Sequence, residues 1–211
     1  MKKIIFFNLP MKSMENNEAC FFGKGNIDCK YEGKVKFGLI AALYGTISQN
    51  DNILVVINKT NSNFPNDSDK NIDFFKQEFK DVLKIDLIEN KNLKIVESPF
   101  TESRQDMQTL YREYLNLIEE EDWLYADTTF GPRLNLPIIF SLFNFAEKFF
   151  DAEVKLLLNV KASFGKGNVL IEDSQALYDI SPFYSLTNLT NAMKAKSGEQ
   201  AVKMLDDFFN L

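Results

Sequence analysis

At 211 residues, 45% hydrophobic and 26% charged, the chain is long enough for one sizeable core and short for two. It contains no histidine, which excludes Ser-His-Asp and Cys-His nucleophile systems and histidine-dependent metal hydrolysis, and its two cysteines, Cys20 and Cys29, are too few for a zinc site. The net charge of −6 disfavours duplex nucleic acid as a partner, although residues 1–36 hold seven lysines against four acids, so a compact anion suits that end.

The first apolar run, KIIFF (3–7), stops at Asn8. That is too short for a signal peptide or a membrane span, so a cytoplasmic soluble protein is expected. From there, short β-rich runs alternate with helical patterns. Strands are predicted at 3–7, 52–58, 93–98, 123–126 and 154–160, and helices at 35–45, 72–83, 104–120 and 137–150. In the helix at 104–120, Met107, Leu110, Tyr111, Tyr114, Leu115 and Ile118 form one stripe at 3–4 spacing.

Past residue 160 the pattern becomes NVLIEDSQALYDISP, read as two short strands around a polar turn at Glu172–Gln175, an edge hairpin. Helices near 183–195 and 199–209 follow, the last opened by Ser197 and Gln200 at capping-box spacing. Two stretches, 9–34 and 60–71, show no period; a loop as long as the first is usually functional or disordered.

The expected fold class is therefore α/β. It is a doubly wound, mainly parallel Rossmann-like sheet with helices on both faces, and with a C-terminal hairpin plus two helices. Residues 1–182 form its core and 183–211 a C-terminal helical segment. The chain stops directly after DDFFNL with no polar tail, which leaves open a longer natural protein joined at that segment.

The stretch with chemical content is YADTTFGPRLNLP (125–137). In an open parallel sheet, ligands bind outside the carboxyl ends of the strands, where helix N-termini and backbone N–H groups are exposed. Thr128 and Thr129 bring hydroxyls there, Gly131 permits close backbone approach, and Arg133 supplies a planar cation. A helix beginning near Pro137 points its positive end to the same place. The arrangement suits a phosphate or ribose. The structural alternative is that the threonines cap, Gly131 turns and Arg133 pairs with a surface carboxylate.

The block from Phe100 to Phe150 resembles the CARF domain (CRISPR-associated Rossmann fold) of type III CRISPR accessory proteins. The likeness lies in an Asp-x-Thr-x-Gly-x-Lys/Arg segment between the fourth strand and a strongly apolar helix, here Asp127, Thr129, Gly131 and Arg133. KKIIFFNLPM with YEGKVKFGLIAALYG is similar to the opening strand, ligand loop and first helix, and LYDISPFYSLTNL to the closing segment. The resemblance implies a homodimer that binds cyclic oligoadenylate, tetra- or hexaadenylate, and relays the binding to a fused effector. It names no cofactor and no metal. The candidate ligand-binding residues are Asn8, Leu9, Pro10, Met11 and Lys12 after the first strand, then Thr128, Thr129, Phe130, Gly131, Pro132 and Arg133. Asn159 and Lys161, at the end of the strand 154–160, complete the set.

Apolar residues cover nearly the whole circumference of the helix 137–150. One face meets the sheet and another needs a partner, which agrees with a dimer. A second function fits the same residues: a metal-independent ring nuclease in which Lys12, Thr128, Thr129, Arg133 or Lys161 positions a ribose 2′-hydroxyl and stabilises charge. An effector ribonuclease of the HEPN type needs a histidine and is excluded. A dinucleotide enzyme should carry Gly-x-Gly-x-x-Gly after the first strand, and FFNLPMKS has no glycine. Phe21, Phe22 and Phe130 are candidates for stacking on adenine. The acidic run 119–122 reads as a solvated helix end.

Overall fold

The computed structural model describes residues 1–24, 27–62, 66–101, 103–163, 171 and 174–209. In chain order its elements are β1 (Lys3–Asn8), β2 (Phe22–Lys24), α1 (Gly38–Leu43), β3 (Ile53–Asn61), α2 (Ser68–Leu83), β4 (Leu93–Pro99) and α3 (Arg104–Leu115). They continue with β5 (Trp123–Asp127), α4 (Asn135–Phe149), β6 (Glu153–Lys161), β7 (Ala176–Asp179), α5 (Ser181–Ala192) and α6 (Gly198–Phe209). One sheet holds all seven strands in the order β2-β7-β6-β5-β1-β3-β4, parallel except for the β6–β7 pair. The five parallel strands from β6 to β4 form a Rossmann-like α/β arrangement in which the order reverses between β1 and β5.

β1 shows why this sequence builds such a sheet. Every one of its residues is buried, the mark of a parallel strand covered on both faces. Alternate side chains go to opposite layers. Phe7 stacks on Phe75 of α2 with ring centroids 4.5 Å apart, whereas Phe6 meets Tyr114 of α3 at 5.0 Å and Phe143 of α4 at 5.8 Å. Burying each phenylalanine contributes roughly 1.5–3 kcal/mol. A one-residue slip of β1 would exchange the two layers, so this register is strongly specified.

α3 begins at Ser103, whose hydroxyl accepts the N–H of Asp106 while the Asp106 carboxylate accepts the Ser103 N–H. It ends at Leu115, five residues short of the expected boundary, although Ile118 of the predicted stripe is still buried beyond the helix. α4 starts at Asn135, two residues before Pro137. The acidic run is only partly solvated. Asp122 is buried, its two carboxylate oxygens accepting the backbone N–H groups of Lys2 at 2.9 Å and Glu119 at 2.8 Å, which ties the start of β5 to the start of β1.

The aperiodic stretch 9–34 contributes to the sheet. Ala19 and Val35 form an isolated antiparallel bridge, and residues 22–24 make β2, which pairs with β7. β7 is therefore an inner strand, and the expected edge hairpin is corrected: β2 takes the edge. All but the last residue of that hairpin's first strand, and half of its turn, lie outside the described residues. So does the second GKGN segment at 165–168.

Residues Met1–Ser181 form one compact unit and Pro182–Leu211 a second. In the second, α6 buries no residue and carries Ala201, Leu205 and Phe208 at helical spacing. Half of the expected capping box forms there. The Ser197 hydroxyl accepts the Gln200 N–H at 3.2 Å, while the Gln200 side chain accepts from Lys196, one residue before the cap.

Candidate ligand-binding site

The switch point lies between the carboxyl ends of β1 and β5, where Phe7 pairs in register with Asp127. Around it the strand ends are joined by a seam of buried polar side chains. Ser98 at the end of β4 donates its hydroxyl to Asn58 Oδ1 at 2.8 Å, and Asn58 Nδ2 donates to Asn8 Oδ1 at 3.0 Å. Asn135, the first residue of α4, donates to the same Asn8 oxygen at 2.8 Å, and Asn8 Nδ2 reaches the Asp127 carbonyl at 3.5 Å. The seam fixes the strand ends and the start of α4 as one piece.

The Asp-x-Thr-x-Gly-x-Arg segment builds on that piece. Asp127 Oδ1 accepts the Thr129 N–H at 2.8 Å, a two-residue Asx turn that swings the chain out of β5. Asp127 Oδ2 is buried without a hydrogen-bond partner among the described residues. Burial outweighs the Thr129 hydrogen bonds and pushes this carboxyl up to about 6. The Thr128 hydroxyl donates to the Leu158 carbonyl at 2.9 Å, and the Thr129 hydroxyl accepts the Val160 N–H at 2.8 Å. Both threonines thus continue the β5–β6 pairing past the end of β5. Gly131 has φ +91°, and a Cβ there would stand 2.9 Å from Asn135 Nδ2 and 3.0 Å from Asn8 Cβ. Both the conformation and the space require glycine.

The predicted residues divide into a frame and a face. Asn8, Leu9 and Pro10 are buried, so their side chains frame the site. Lys12, Gly131, Arg133 and Lys161 are exposed, and Met11, Thr128, Thr129, Phe130, Pro132 and Asn159 are half-buried. Arg133 takes part in no ion pair among the described residues, so the alternative in which it pairs with a surface carboxylate is not what this structure contains. Of the stacking candidates, Phe21 belongs to the core and Phe130 packs against it, leaving Phe22 exposed on the edge strand. A small cleft beside Arg133, walled by Met107, Leu110, Leu134 and Ile138 with Ser98 and Asn135 among its polar lining, runs between the starts of α3 and α4.

Sequence reasoning did not find Asn58, Ser98 and Asn135 of the seam, nor two residues on α2: Asn71, which holds the segment after β1, and Glu78, which holds the residues before α1. A signal for the seam was present: the apolar runs FFN, VVIN and IVES each end in a small polar residue, which is where a buried strand reaches the ligand-facing edge. Among the described residues no cluster of cysteines and carboxylates is placed to hold a metal ion, and no helix is long and apolar enough to cross a membrane. No protein-family model matches the chain, and no curated protein matches it.

Proposed function

We propose that this protein is a sensor domain that binds a cyclic oligoadenylate, tetra- or hexaadenylate, across a homodimer and relays the binding to an effector in a longer natural protein, in type III CRISPR antiviral defence. The observation that carries this reading is the site at the switch point. There an exposed arginine with no acidic partner among the described residues stands two residues after a glycine packed on Asn8, just before the N-terminus of a fifteen-residue helix. Backbone dipole and guanidinium converge where an anion's charge would sit. Lys12, four residues past the end of β1, and Lys161, the last residue of β6, are both exposed beyond or on strands that flank β5 and extend the cationic surface.

The dimer draws support from α4. Its inner face is buried through Ile138, Ile139, Leu142, Phe143 and Ala146, while Leu136 and Phe149 are exposed and Phe145 lies against Phe149 at 4.6 Å. A second copy packed on the Phe145–Phe149 flank of α4 about a two-fold axis would present two switch-point sites symmetrically, which matches a rotationally symmetric ring of adenylates. Among the two activities that fit the residues, binding without cleavage is favoured. Both threonine hydroxyls are tied to the backbone of β6, Thr128 by donating and Thr129 by accepting, so each has a role in holding the loop before any role toward a ribose hydroxyl.

Calorimetric titration with rings of three to six adenylates tests the reading. The expected result is saturable binding of the tetramer or hexamer at one ring per two chains; absence of binding by every ring at micromolar protein overturns it. Incubation of radiolabelled ring without metal then distinguishes receptor from ring nuclease. An intact ring is the expected outcome.

A further inference from the structure

The backbone from Pro10 to Lys12, just after β1, is held by the start of α2. Asn71, near the start of α2 and wholly buried, donates through Nδ2 to the carbonyls of Pro10 at 2.7 Å and Lys12 at 2.8 Å. Its Oδ1 accepts the Met14 N–H at 3.0 Å. Between those two carbonyls, that of Met11 accepts the N–H of Asp67 at 2.9 Å. Three consecutive carbonyls therefore face α2.

Each of these carbonyls belongs to a trans peptide, and in a planar trans peptide the C=O and N–H bonds point in opposite directions. The N–H groups of Met11, Lys12 and Ser13 consequently point away from α2. None of the three has an acceptor among the described residues, and the Lys12 side chain between them is exposed. Consecutive N–H groups turned the same way, with a cation beside them, make a surface for anionic oxygens.

We infer that Asn71 is a positioning residue of the switch-point site: through its three hydrogen bonds it turns the backbone of Met11–Ser13 so that its N–H groups and Lys12 are presented together to a phosphate group. The inference rests on the proposed reading of this edge as an anion site. Asn71 itself touches no ligand. The geometry is specific to an amide, because the side chain must donate twice and accept once at the same place, and no other side chain of that size does both without charge.

The experiment uses Asn71→Asp in the full chain, which keeps the size and the acceptor for Met14 but replaces the donor with an oxygen facing two carbonyls. Asn71→Ser serves if the aspartate variant does not fold. Phe79→Leu, a change at a wholly buried residue of the same helix, supplies a control of comparable thermal destabilisation. Titration with cyclic tetra- and hexaadenylate should show binding weakened about tenfold, the size of one charge-assisted hydrogen bond, in the Asn71 variant and not in the control. Lys12→Ala should weaken the wild type and the control but add nothing in the Asn71 background, since the lysine is no longer held in place. Unchanged affinity, or a full Lys12→Ala effect in that background, overturns the inference. Should the wild type bind neither ring, the proposed function fails separately, and amide exchange decides the role of Asn71. The Met14 N–H should then exchange at least about tenfold faster in the variant while those of Ile5 and Val55 do not change; equal Met14 rates overturn it.

Discussion

Gly131 is packed against Asn8 so closely that a methyl group added to it would stand 3.0 Å from the Asn8 Cβ. One is the turn of the β5–α4 loop and the other the last residue of β1, so their contact seals the switch point. Gly131→Ala meets both this contact and a φ of +91°, and should destabilise the fold by about 1–3 kcal/mol. Chemical denaturation checks it. A variant as stable as the wild type would mean that the loop relaxes without consequence, and the seal would not exist.

Arg133→Ala should weaken cyclic oligoadenylate binding about ten- to a hundredfold per site, the loss of roughly 1.5–3 kcal/mol from a charge-assisted hydrogen bond. Because the guanidinium is exposed and without an ion pair among the described residues, the melting temperature of the unliganded protein should not move. Arg133→Lys should retain part of the affinity, the charge being kept and the fork geometry lost. Titration beside a thermal melt gives both numbers. Unchanged affinity in Arg133→Ala removes the arginine from the site.

Asp127 carries its carboxyl at about 6 in the fold, raised by burial from 3.8. A raised acid binds more protons folded than unfolded, so the wild type loses stability as pH rises from about 4 to about 6, and the loss is complete above that. Asp127→Asn keeps the acceptor for the Thr129 N–H and has no such titration. Relative to wild type, the variant should therefore gain on the order of 3 kcal/mol between those limits and nothing further by pH 8. Denaturation at pH 4, 6 and 8 measures the difference, and a constant difference would place the native carboxyl at its ordinary value.

Glu78 titrates in a second window. Its carboxylate accepts the N–H groups of Lys36 at 2.7 Å and Phe37 at 3.1 Å, yet burial raises it from 4.5 to about 7, with Lys36 lowering it and Glu18 raising it slightly. Stability is again lost with rising pH, here between about 4.5 and 7. Glu78→Gln offers only one acceptor for two donors, so it should be less stable than wild type at pH 5. The deficit should shrink towards pH 7.5, as the wild type alone bears the ionisation. A deficit that widens with pH would show that the ionised form is the better partner of the two N–H groups.

Much of this was legible in the sequence, for definite reasons. β1, β3, β5 and β6 are buried on both faces or nearly so and read as apolar runs, and Asp127-x-Thr129 announces its Asx turn by residue type alone. β2 was not legible. It has three residues, one of them glycine, and exists because β7 lies beside it, a pairing across about 150 positions that no local pattern encodes. Asn71 was hidden for the same reason: its partners at Pro10 and Lys12 lie 61 and 59 residues away, and within α2 it looks like an ordinary polar position. α4 was read as apolar nearly all round, without saying which aromatics face outward, and its start was set two residues late because Asn135 looks like loop until its bond to Asn8 is seen.

The polar seam has a direction. Hydroxyl and amide hydrogens point from Ser98 to Asn58, from Asn58 to Asn8 and from Asn8 to the Asp127 carbonyl, one way across four neighbouring strands. No amide in such a row can turn over alone, since a single reversed side chain would set donor against donor on one side and oxygen against oxygen on the other. Asn135 adds a second hydrogen pointing into Asn8, and the Asp127 carbonyl at the far end can only accept, so the row is satisfied in one direction alone. The amides at the strand ends and at the start of α4 thus share one orientation, and turning any of them would unsatisfy its neighbour in the row.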